Sequence, residues 1–135
     1  MADIVLTNAS VVINSVDLSA HVTSVAISRS ADAVETTAMG DTARTYTGGL
    51  ESGTLDITFN QDYAAAKVEA TLYALVNTST TVVVKPVAAS VSATNPSYTM
   101  SCFVAEYSPV DGSVGDISQV SVSWPINGAI TKATS

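Results

Sequence analysis

The sequence predicts a mainly β fold: an antiparallel β-sandwich or barrel with one flanking α-helix and a long inter-strand loop. Three observations carry this expectation. Short runs rich in Val, Ile and Thr recur along the chain, divided by Asn, Gly, Pro and Ser. Residues 54–59, TLDITF, alternate strictly between polar and apolar. Only one segment, YAAAKVEATLYALVN, has a helical period and is free of Gly and Pro. At 135 residues the chain suits one domain, read as 1–135. A domain of this size buries roughly two-thirds of its unfolded surface and needs no staples.

In chain order, residues 1–14 read as an N-terminal arm and first strand, with the apolar runs IVL and VVI. Asn14-Ser15 is a turn, and Val16–Ser19 continues the β character. His21–Arg29 is a strand by its β-branched content. Thr23, Val25, Ile27 and Arg29 share one face; Val22, Ser24, Ala26 and Ser28 share the other, which is small and polar apart from Val22. Residues 30–50 read as a long loop, which re-enters the sheet through Gly48-Gly49 and Gly53. A loop this long inside a compact domain is normally functional or disordered. Met39, Asp41, Arg44 and Tyr46 are its candidate docking residues. In the next strand Leu55, Ile57 and Phe59 face a core, and Thr54, Asp56 and Thr58 face away from it.

Asp62 is the expected N-cap of a helix over 63–76. Its apolar stripe is Ala65, Val68, Leu72, Leu75 and Val76. Thr81–Val87 is a strand, with Pro86 placing its end at an edge or terminus. Residues 88–97 form a loop, and Tyr98–Tyr107 a long strand. Residues 109–116, PVDGSVGD, read as a tight hairpin connection into Ile117–Trp124. There Val120, Val122 and Trp124 alternate with Gln119, Ser121 and Ser123. Pro125 is expected to end that ladder, leaving 126–135 as a short strand or tail.

The composition narrows the function classes. The chain is 47% hydrophobic but only 13% charged, about half the usual charged fraction. Such a surface is covered by neighbours at modest desolvation cost. Twelve acidic against five basic residues give a net charge of −7. Nucleic-acid binding needs Lys and Arg to displace counterions, so an ordinary DNA- or RNA-binding module is excluded. A surface past which DNA slides without sticking is not. No basic segment precedes an apolar run at the N-terminus, and no run approaches the ~20 residues of a membrane span, so synthesis in the cytoplasm and no membrane span are expected.

Catalytic chemistry finds no constellation. His21 has no partners at metal-ligand spacing. Asp41 and Glu51 flank the Gly-rich turn, where exposed carboxylates are ordinarily just solvated. GDTARTYTGG lacks the Lys-Ser/Thr of a phosphate-binding loop. Asn77-Thr78-Ser79 matches a glycosylation sequon without a secretory signal. Cys102 is alone and reads as a small core residue. No enzyme activity, metal or cofactor is expected.

Four segments, INSVDLSAHVTSVAIS, TTAMGDTARTYTGGLESGTLDITFNQDY, VSATNPSYT and SPVDGSVGDISQVSVSW, together resemble the major tail tube proteins of long-tailed (siphovirus-type) bacteriophages, particularly those of actinobacterial phages. The resemblance covers nearly the whole chain and rests on the combination and order of the segments. It implies a small β-barrel or sandwich with a flanking helix. It implies hexameric rings in which each copy lends a β-sheet to a continuous inner barrel. The rings would stack into a tube that conducts DNA from capsid to host. The implied partners are further copies of the chain, a tape measure protein, and tail tip and tail terminator proteins. DNA would pass without specific binding, and the virion tail would be assembled in the host cytoplasm.

Two expectations follow at residue level. Ser24, Ser28, Thr54, Asp56 and Thr58 would line the channel, or would instead meet bulk solvent or a neighbouring subunit. The loop, mobile in the free chain, would bury Met39, Arg44 and Tyr46 on the next ring, with Arg44 meeting an acidic group there such as Asp41 or Asp62. Two other readings stand beside this one. One is a monomeric β-sandwich binding or decoration module using Tyr46, Tyr98, Tyr107 and Trp124 as a stacking platform. The other is an inner-tube protein of a contractile injection system.

Overall fold

The computed structural model describes Val5, residues 7–65 and residues 67–134. The fold is mainly β, with every strand pair antiparallel. Its strands are β1 (Ser10–Ile13), β2 (Val16–Asp17), β3 (Val22–Glu35), β4 (Tyr46–Asn60), β5 (Ser79–Lys85), β6 (Ser97–Phe103) and β7 (Gln119–Ala133). They lie in the order β2-β1-β5-β6-β7-β4-β3. β7 joins the two halves. Residues 119–125 pair with β4, and residues further on pair with β6. The register between β6 and β7 slips between Thr99 and Ser101, opposite Gly128 at φ +77. A bulge of this kind bends a strand and lets it change partners. The inner faces of both halves then close on one core, in which Trp124, Phe59, Ile13, Leu18 and Leu55 are fully buried.

Alternation places most core residues as expected: Leu55, Ile57 and Phe59 on β4, and Val120, Val122 and Trp124 on β7. Pro125 does not end the ladder. It pairs with Thr54 in mid-strand, at the point where β7 leaves β4 for β6, and Ile126 continues the buried series. A residue without an N–H is tolerated there because the strand is exchanging partners. Val22 also departs from its expected face. The register shifts between Val22 and Ser24, so Val22 packs against the core while Ser24 stays outside. The second long strand stops at Phe103. Residues 104–118 are an extended connection, so β6 and β7 pair antiparallel without a tight hairpin turn.

The helix is much shorter than 63–76. α1 spans Val68–Leu72 and runs into one 3-10 turn, Tyr73–Leu75. Asp62 accepts from the Ala64 amide at 2.9 Å, and its carbonyl accepts from the Glu69 amide at 3.1 Å. These bonds close a turn ahead of the helix and do not cap it. Isolated helix propensity is weak at this length, and the segment is anchored by the buried Val68, Thr71 and Leu72, with Leu75 partly buried against the core. Ala65 and Val76 of the expected stripe are exposed.

The largest correction concerns residues 30–50. β3 and β4 stay paired from Val22↔Phe59 out to Glu35↔Tyr46, so the true loop is only 36–45. Eight β4 residues, from Tyr46 to Gly53, lie beyond the last β4–β7 pair. At ~3.3 Å per residue they carry a two-stranded ribbon about 25 Å past the sheet.

Candidate functional site: a polar sheet face and a projecting hairpin

The outer face of β3, β4 and β7 is built from three cross-strand rows. Ser24, Thr58 and Ser121 form one row; Ala26, Asp56 and Ser123 the next; Ser28, Thr54 and Pro125 the third. The five sequence-derived residues Ser24, Ser28, Thr54, Asp56 and Thr58 therefore fall on one contiguous surface. Thr58 Oγ1 and Ser121 Oγ are 3.1 Å apart, and Gln119 Nε2 donates to Asn60 Oδ1 at 3.1 Å. A shallow groove runs between Ser24, Asp56, Thr58, Ser121 and Ser123 and is flanked by Glu106. The Glu106 carboxylate accepts from the Ser123 amide at 3.1 Å, and its carbonyl accepts from the Trp124 indole at 3.0 Å. The charges along this groove, Asp56 and Glu106, are both negative. Small hydroxyl side chains and two carboxylates make a wet face whose groove lining has no Lys or Arg to neutralise a phosphate.

Sequence reading missed Ser121, Ser123 and Glu106 as members of this surface. The first two were visible as the polar half of the 119–124 alternation. Glu106 lay outside any periodic segment, and only the folded-back connection brings it to the groove.

The hairpin is organised by its own hydrogen bonds. The Thr36 amide donates to the Thr45 carbonyl at 2.8 Å, the two threonine hydroxyls are 2.9 Å apart, and the Thr45 amide donates to Thr37 Oγ1 at 3.0 Å. Asp41 closes the tip by accepting from the Ala38 amide at 2.7 Å, and Gly40 takes φ +92 in the turn. Arg44 pairs across the ribbon with its own Glu35 at 3.5 Å. The four predicted docking residues thus divide. Asp41 and Arg44 are engaged within the hairpin, Met39 is fully exposed, and Tyr46 is more than half exposed. Val34 and Leu50 add exposed apolar surface along the ribbon. Further in, Arg29 Nε donates to Glu51 at 2.8 Å.

Tyr98 and Tyr107 are partly buried against the core and Trp124 is wholly inside it, so these aromatics do not form an open platform with Tyr46. Among the described residues, no three His, Cys, Asp or Glu side chains converge as metal ligands, and no helix is long and apolar enough to cross a membrane. His21 lies 3.5 Å from Asp62, bridging the start of β3 to the turn ahead of α1. Burial raises the Cys102 thiol to about 11, so it stays protonated at neutral pH.

No protein-family model matches the chain, and no curated protein matches it. Solved structures do. A chain in the virion of a native gene transfer agent particle is similar over 93% of this chain and 95% of its own length, with TM-score 0.63 and 12% identity. A chain in the tail of an empty gene transfer agent particle, solved with helical refinement and C6 symmetry, is similar over 82% of this chain and 81% of its own, with TM-score 0.53 and 14% identity. At these identities the likeness is one of fold: this chain shares its architecture, over nearly its whole length, with a chain of a gene transfer agent particle.

Proposed function

We propose that this protein is a structural virion protein of a phage-type tail, self-assembling into stacked hexameric rings that form a tube for DNA. The observation that carries this reading is the pairing of a cation-free polar sheet face with a two-stranded ribbon whose outer edges are unpaired. Unpaired strand edges are a template for a neighbour's strand. Repeating one head-to-tail contact closes a ring or extends a stack. The likeness to a chain in a C6-symmetric tail supports a six-fold ring. In this arrangement Ser24, Ser28, Thr54, Asp56 and Thr58 face the lumen, where repeated carboxylates repel DNA phosphate and leave it free to slide. The hairpin tip, with Met39 and Tyr46, reaches the adjacent ring. Tape measure, tail tip and terminator proteins are the expected partners, and the virion tail is the expected location. No step of this role requires catalysis.

Purified chain, concentrated alone, is predicted to form long hollow tubes of uniform width under negative-stain electron microscopy. A sample that stays monomeric, both alone and with a tail-tip initiator complex, would remove the reading and leave a monomeric decoration module.

A further inference from the structure

We propose that the connection between β6 and β7 of one copy docks into the open mouth of the sandwich on the next copy. This inference rests on the head-to-tail assembly proposed above and assigns surfaces to it. The mouth lies along the edge strand β3, between it and β5, β6 and the end of β7. Val25, Ile27, Tyr98 and Ile130 line it and are only partly buried, although all four pack against the core. It is an apolar recess left unfilled by the chain's own side chains. Lys132 and Arg29 stand at its rim. Arg29 is held by Glu51, while Lys132 has no carboxylate within ion-pair distance among the described residues.

The connection that leads into β7 carries the complementary surface. Residues 109–118 display Val110 at 83% exposure, Val114 at 106% and Ile117 at 65%, an unusual concentration for so short a segment. Asp111 and Asp116 lie among them and carry its only charges. The base of this connection is held firmly. Gln61 Nε2 and the Tyr63 hydroxyl both donate to the Pro109 carbonyl, at 2.9 and 2.6 Å, and Ser118 Oγ donates to the Asp111 carbonyl at 2.5 Å. A segment anchored in this way presents its aliphatic tip at a low ordering cost.

The occupant follows from sign and position. In a chain of net charge −7, an apolar recess with Lys132 at its rim suits an apolar segment interspersed with carboxylates. Within one chain the connection precedes β7 while Ile130 and Lys132 lie near the far end of that strand, and Val110, Val114 and Ile117 stay exposed, so one chain does not fill its own recess. The contact is therefore heterologous, running from one copy to the next.

The test is a charge swap in the full-length chain. Lys132→Glu alone, and Asp111→Lys with Asp116→Lys, are each expected to raise the concentration needed for polymerisation about tenfold, measured by sedimentation. All three substitutions in one chain are expected to restore most of the wild-type value. Thermal melts serve as the folding control, since all three positions are exposed. Zero-length carboxylate–amine cross-linking of mixed light and heavy isotope chains should join Lys132 to Asp116 between copies. Wild-type tubes with indifferent single variants, or a triple variant no better than the worse parent, would overturn this contact and leave the tube reading standing. A wild-type chain that never associates would overturn both.

Discussion

Gly53 is the residue where local geometry is least forgiving. A Cβ built there would sit 2.8 Å from the Ser28 carbonyl and 3.2 Å from Ile126 Cδ1. Backbone and core would both have to yield, so Gly53→Ala is expected to cost about 1–3 kcal/mol, read from the denaturant midpoint. Thr80 presents the reverse case. Its hydroxyl is buried on β5 with no partner among the described residues. Thr80→Val keeps the shape and removes an unsatisfied polar atom, so stability should hold or rise by about 1 kcal/mol. Asp17 contributes a pH dependence. Hydrogen bonds from the Ser19 hydroxyl and amide hold its carboxyl below the usual 3.8. The folded state therefore favours the carboxylate. That contribution is fully present above pH 3.8 and is lost as pH falls through the lowered value. Solvent screening keeps it below about 1 kcal/mol, and the gap between wild type and Asp17→Asn should close on acidification. At this scale the sequence was informative about type and silent about neighbours. Alternation named Leu55, Trp124 and Thr58 correctly for face, but nothing in it revealed that Gly53 is squeezed between Ser28 and Ile126.

At the level of elements, the hairpin and the helix mark where reading the sequence ran out. Residues 30–50 were read as a loop because Ala31, Asp32, Gly48 and Gly49 have low β propensity. They form a ladder because β3 and β4 resume pairing beyond an irregularity between Ala31 and Ala33, with Ala31 opposite Glu51 and Gly48 opposite Ala33, and the whole ribbon is carried by the strongly patterned 54–59 segment. The helix was overread for the converse reason. Ala-rich propensity covered fifteen residues, but tertiary packing is concentrated between Val68 and Leu75. Pro125 was taken as a stop because a central strand lacks room for it; the change of partners in β7 supplies that room. The ribbon's hydrogen bonds have no core beneath them. In the free chain its amides, from Ser28 to Ser52, are expected to exchange with deuterium much faster than those of Leu55–Phe59. In the assembled state they should become protected. Equal exchange of the ribbon in the monomer and the polymer would contradict its role as an assembly element.

For the whole molecule, the mainly β architecture was legible from composition and period, and the topology was not. Periodicity locates faces but cannot say that β7 serves both halves, nor that β3 lies at the sheet edge. The distribution of chemistry over the surface is the finding that unites the molecule. Among the described residues, the polar groove of β3, β4 and β7 is lined by carboxylates without cations, and the unpaired edges run along the ribbon. A chain with open strand edges is suited to repetition, and its fold is shared with chains of gene transfer agent particles. The central claim is that repetition places the polar face around a lumen. The most direct measurement is a cryo-electron microscopy map of tubes grown from the purified chain, at a resolution that traces β4. The account predicts a hollow six-fold tube with Asp56 and Thr58 pointing into the channel; a tube with Asp56 on its outer wall would contradict it.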